Sequence, residues 1–120
     1  MNKKTLVIGA SEHTHRYSNK AMAMLKQHQH EVVAIGKIAG NAHGIEIQKG
    51  FPALTNIDTI TLYLNPSHQE QYYEYIMSLK PKRVIFNPGT ENETLEAKLN
   101  AAHIAHIEAC TLVLLSTKQY

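Results

Sequence analysis

The residues with the clearest chemical potential are small or cationic. Gly9-Ala10-Ser11 follows the apolar run Thr5-Leu6-Val7-Ile8, and a helix-periodic stretch opens at Ser18, flanked by Arg16 and Lys20. A strand that ends in such a loop before a helix turns unpaired backbone N–H groups and the positive end of the helix dipole toward an anion, for which a pyrophosphate is the natural guest. Glycine at position 9 lets the backbone approach that guest closely.

Two departures from the dinucleotide fingerprint narrow the choice of guest. The G-x-G-x-x-G positions fall on Gly9, Ser11 and Thr14, so only the first glycine is present. The fingerprint also wants an acid near the end of the second strand to hold a free ribose diol. Here Gly36-Lys37 stands in that place. A lysine pairs with a phosphate, which disfavours NAD and favours a ribose carrying an extra phosphate, as in NADP or coenzyme A.

Other reactive residues lead to no site. The eight histidines include His13-Thr14-His15 and His28-Gln29-His30. Zinc needs three or four converging ligands, and the only thiol, Cys110, is distant in sequence, so these are read as scattered surface histidines. Cys110 is read as a buried structural thiol. Tyr72, Tyr73 and Tyr75 share a helical stretch and are read as core and partner-facing surface. No Ser-His-Asp order or paired acid-base spacing stands out, so no catalytic residue and no metal ligand is assigned.

The elements that position these groups alternate. Strands are expected at Thr5–Ile8, Glu31–Ile35, Asp58–Leu64 and Lys82–Phe86, with a possible edge strand at Ile45–Ile47 and a final one at His106–Cys110. Helices are expected from Ser18, as N-cap, to Gln29, from Asn65-Pro66-Ser67 to Leu79, and from Glu93 to Ala102, with a last apolar turn at Thr111–Ser116. Parallel neighbours need crossover helices, so the pattern predicts a three-layer, doubly wound α/β sheet. It is Rossmann-like, with five to six strands in the order 3-2-1-4-5-6. Ligands of such sheets bind beyond the carboxyl ends of the strands, which places the Gly9 loop, Asn65-Pro66 and Asn87-Pro88-Gly89 together.

The totals agree with one domain over residues 1–120. Hydrophobic residues at 43% and charged residues at 18% suit a folded globule rather than a disordered chain. A net charge of +2 offers no broad field for nucleic acid or an anionic membrane, so any anion site must be local. The N-terminus has no apolar stretch fit for a signal peptide, and no run spans a bilayer. One cysteine precludes an intrachain disulfide, and a reducing cytoplasm is the expected compartment.

Several segments together carry a family resemblance: Val7-Ile8-Gly9-Ala10-Ser11, Tyr17-Ser18-Asn19-Lys20, Gly50-Phe51-Pro52-Ala53-Leu54, Asn65-Pro66 and Cys110. In order and spacing over nearly the whole chain they resemble the small stand-alone CoA-binding domain proteins, themselves similar to the CoA-binding domain of the succinyl-CoA synthetase α subunit. The resemblance implies a pyrophosphate cradled by Gly9, Ala10 and Ser11, with Ser18 and Lys20 beside it. It implies Lys37 at the 3′-phosphate or adenine end, with Asn65-Pro66 and Asn87-Pro88-Gly89 bordering the ligand. Where the family has Asn-Pro-Lys after the second strand, this chain has Gly36-Lys37-Ile38, and the loop carrying Arg16 is its own. The synthetase's catalytic histidine lies in another domain, so the resemblance carries binding and no ligase chemistry.

The expected function is therefore a CoA or acyl-CoA binding module, a sensor or an accessory to an acyl-transfer enzyme, without a reaction of its own. A homodimer is compatible with it. The alternatives are an NADP-binding reductase-like protein, for which no Tyr-x-x-x-Lys pair is found, and a protein-interaction domain with no ligand.

Overall fold

The computed structural model describes residues 2–120. In chain order the strands are β1 (Thr5–Ile8), β2 (Val32–Ile35), β3 (Gly40–Ala42), β4 (Ile45–Gln48), β5 (Thr59–Leu62), β6 (Arg83–Phe86) and β7 (Ala105–Glu108). The helices are α1 (Tyr17–Gln27), α2 (Pro66–Gln69), α3 (Tyr73–Leu79), α4 (Glu93–Ala101) and α5 (Thr111–Ser116), with a 3₁₀ turn at Glu70–Tyr72 between α2 and α3.

All strands join one sheet in the order β3-β4-β2-β1-β5-β6-β7. Every pairing is parallel except β3 with β4. Without β3, this is the expected doubly wound order; β3 adds a seventh strand and takes the edge expected for Ile45–Ile47. The central strands β1 and β5 are buried throughout, as sheets covered on both faces require.

Alternation along the strands sorts side chains to two cores. Leu6, Ile8, Ile60, Leu62, Val84 and Phe86 pack with Ile76, Leu95 and Leu99 of α3 and α4. Val7, Ala34 and Ile47 pack with Met22, Leu25 and Leu115 of α1 and α5. On α1 the buried positions Ser18, Ala21, Met22 and Leu25 recur at helical spacing and form the stripe that faces the sheet.

Local chemistry explains most boundaries. Asn65 caps α2, its Oδ1 accepting from the His68 N–H, and Pro66 takes the first helical position, where its missing N–H costs nothing. Asn92 caps α4 through the Leu95 N–H, with Glu93 and Glu96 in the first turn, where the dipole favours acids. Ser18 is not the N-cap of α1. Arg16 holds that extended position, without a side-chain cap bond, while Ser18 is buried inside the first turn.

The single helix expected from Asn65 to Leu79 is broken. Fully buried Gln69 donates to the Leu64 and Thr90 carbonyls and accepts from Asn92, so the chain tightens into the 3₁₀ turn around it. The apolar run Thr111–Ser116 forms the full helix α5, with Thr111 hydrogen-bonded to Thr61 of β5 and Leu115 in one core cluster with Val7 of β1.

Candidate functional site

A cleft of about 300 Å³ opens at the carboxyl ends of β1, β2, β4 and β5. Gly9 follows β1, Gly36 and Lys37 follow β2, and Lys49, Gly50 and Phe51 follow β4. Leu64, His68, Gln71 and Tyr72 come from the turn after β5 and from the α2 region. Strand β1 pairs with β2 on one side and β5 on the other, so the cleft lies where the winding direction reverses.

Its backbone walls depend on close approach. Gly9 has φ +97°, a region that favours glycine, and a Cβ there would stand 3.0 Å from the Tyr63 carbonyl carbon. The N–H groups of Gly9 and Ala10 both donate to the Ile35 carbonyl at 2.9 Å. Both amides are committed to the fold.

Charge at the cleft is positive. Lys37 and Lys49 are exposed, and among the described residues neither lies within ion-pair distance of a carboxylate. Strands β2 and β4 pair directly, Ile35 with Gln48, so the two lysines leave neighbouring strands whose backbones run about 5 Å apart. Beside them Phe51 is 55% exposed, its ring 5.3 Å from that of buried Tyr72 and 5.4 Å from that of Tyr75. The Tyr75 hydroxyl donates to the Pro52 carbonyl and so anchors the segment that carries Phe51. Burial pushes the Tyr72 and Tyr75 hydroxyls up from their ordinary pKa.

The other sequence-assigned residues are distributed differently. Ala10, Ser11, Arg16, Ser18 and Lys20 do not line the cleft; Arg16 and Lys20 are exposed, with the Lys20 ammonium over the Tyr17 ring. Asn65 caps α2 and Pro66 starts it. Asn87 turns inward: its Nδ2 donates to Thr61 Oγ1 and the Leu62 carbonyl, and its Oδ1 accepts from the Thr111 N–H. Pro88 and Gly89 form an exposed turn. Cys110, expected to be buried, is half-exposed at the N-cap of α5.

The cleft also has members that sequence reasoning did not assign. Lys49, Gly50 and Phe51 follow an alternating apolar run, and a lysine, glycine and exposed aromatic at a strand end were the available clue. His68, Gln71 and Tyr72 depend on the break in the helix and had none.

A larger hollow, about 610 Å³, lies at the opposite ends of the strands. Its Lys4 and Lys82 lie within ion-pair distance of Glu31 and Asp58, and Lys80 also lines it.

An open, mostly parallel sheet with a cleft at its switch point defines a Rossmann-like α/β protein. The chain belongs to the CoA binding domain family, whose model matches residues 3–116. A crystal structure of an uncharacterized protein is similar at 48% identity and TM-score 0.97, covering 100% of this chain and 99% of that one. A hypothetical protein from Pyrococcus horikoshii OT3 shares the fold at 21% identity and TM-score 0.88, over 97% of this chain and 83% of that one. Aspartate dehydrogenase from Thermotoga maritima shares it more distantly, at 13% identity and TM-score 0.58, over 91% of this chain and 46% of that one. No curated protein matches the sequence. No helix among the described residues is long and apolar enough to cross a membrane.

Proposed function

We propose that the chain binds coenzyme A or an acyl-CoA, with the 3′-phosphoadenosine end in the cleft, and that its role is binding rather than catalysis. The observation that carries this is Lys37 and Lys49, without an ion-paired carboxylate among the described residues, on adjacent strand ends beside exposed Phe51. Two ammonium groups lining one cleft suit a dianionic ribose phosphate, and an exposed ring suits the face of an adenine. The cleft volume lies at the small end for ligand sites, so it takes one end of the molecule. The diphosphate and pantetheine then run along the strand ends past Asn65-Pro66 and Pro88-Gly89. Membership of the CoA binding domain family favours this ligand over NADP.

Thermal unfolding with added nucleotides tests the reading. Binding to the native state alone, at about 100 times Kd, adds about 2.7 kcal/mol and raises Tm by several degrees. CoA or acetyl-CoA is expected to do so, NADP to do so less, and acetyl-CoA is expected to be recovered intact. No shift with any CoA species would contradict the proposal, and release of free thiol would contradict its non-catalytic part.

A further inference from the structure

The β3–β4 hairpin, absent from the sequence-based expectation, is fastened to the loop between β1 and α1 by side chains with no other evident task. Its connection is His43-Gly44, with φ +55° and +77°, the two positive values of a type I′ hairpin turn. At the tip, His43 Nε2 lies 2.7 Å from Asn19 Oδ1, and Lys26 Nζ donates to the His43 carbonyl at 2.6 Å. Asn19 is 2% exposed, in the first turn of α1, and its Nδ2 donates to the Ser11 carbonyl at 3.0 Å. One residue further along the loop, the Glu12 carboxylate accepts from the Asn41 N–H at 2.8 Å.

Hydrogen-bond logic fixes the direction of the relay. A carbonyl oxygen only accepts, so the Asn19 group facing Ser11 is the NH₂ and the group facing His43 is the oxygen. His43 Nε2 must therefore carry the proton. Consecutive loop residues, Ser11 and Glu12, are thus held from His43 and Asn41 of one hairpin. The same hairpin's second strand, β4, runs on into Lys49, Gly50 and Phe51 of the cleft.

We propose that Asn19 and His43 are a positioning pair: through the Ser11 carbonyl they hold the β1–α1 loop, whose first residue Gly9 lines the cleft, and join it to the strand that runs on into Lys49 and Phe51. In its consequence for affinity this rests on the CoA-binding function proposed above. The bracing itself is independent of any ligand.

The test uses His43→Asn and His43→Gln. Asparagine suits the left-handed backbone better than histidine but is too short to reach Asn19, whereas the glutamine amide reaches as far as Nε2. Backbone strain and loss of the bond therefore push in opposite directions. Without ligand, His43→Asn is expected to be cut by trypsin after Arg16 several-fold faster than wild type at unchanged Tm, because local opening sets that rate. His43→Gln is expected to restore the wild-type rate, and CoA affinity to follow the same order. Cleavage of His43→Asn at the wild-type rate, or failure of Gln to rescue, would overturn the pair. If the wild type binds no CoA while the cleavage order holds, the functional proposal falls and the brace stands.

Discussion

A Cβ placed on Gly36 would stand 2.4 Å from the carbonyl oxygen of Ala10 and 2.9 Å from Ile47 Cγ2. The strand that delivers Lys37 thus touches the β1–α1 loop through bare backbone. Gly36→Ala is expected to destabilise the fold by about 1 to 3 kcal/mol, since the first of those contacts is with main chain that has little room to move. Urea midpoints read this directly. An unchanged midpoint would mean that the loop and β2 separate at little cost.

Phe51 should matter for ligand more than for fold. Its ring is more than half exposed, so Phe51→Ala leaves most of the core intact. Base–aromatic stacking lost to alanine is worth about 1 to 3 kcal/mol, or roughly five- to 150-fold in Kd. Calorimetric titration with CoA is expected to show a loss in that range, and an unchanged Kd would remove Phe51 from the adenine site.

Asn87 is expected to behave in the opposite way. It is 2% exposed and accepts from the Thr111 N–H at 2.8 Å, tying β6 to the start of α5. Asn87→Ala leaves that buried N–H, among other groups, without its partner, at a cost of about 1 to 3 kcal/mol per unsatisfied group. The lowered Tm is the readout, and an unchanged Tm would show that water or a shifted side chain replaces it.

These two residues show how far the sequence can be read. Strand ends are legible because apolar runs stop at Gly9, Gly36 and Asn87, and the parallel order follows from their alternation with helices. Which way a polar residue at a strand end points is not legible, since Asn87 differs from a ligand-facing asparagine only in the tertiary partners Thr61 and Thr111. Strand β3 is not legible, because Gly40-Asn41-Ala42 carries no apolar alternation and is held by its turn and by Glu12. Of the residues lining the cleft, Gly9, Gly36 and Lys37 are legible from spacing. Gln71 and Tyr72 are not, because a buried glutamine, Gln69, reshapes the helix that presents them.

His30 supplies a pH dependence. The Lys3 N–H donates to its Nδ1 at 2.9 Å, and the ring lies 4.9 Å from that of Tyr120. Burial, followed by repulsion from positive groups that include His28, Lys3 and Arg83, holds its pKa below the ordinary 6.5. The unfolded chain then binds a proton that the native state refuses, so this contribution is complete above about 6.5 and is lost as pH falls from there toward the folded-state value. Between about pH 7.5 and 5.5, wild type is expected to lose more Tm than His30→Gln, which keeps an acceptor and cannot titrate. Equal losses would contradict the assignment.

In the proposed complex, Lys37 and Lys49 together grip a phosphate on the ribose. Calorimetry of CoA and 3′-dephospho-CoA, on wild type and on the Lys37→Ala/Lys49→Ala double variant, measures that grip as a ratio of two Kd values. Wild type is expected to prefer CoA by about tenfold or more, as one charge-assisted bond is worth about 1.5 to 3 kcal/mol, and the preference is expected to vanish in the double variant. Equal affinity of wild type for both ligands, or a preference that survives loss of both lysines, would contradict it.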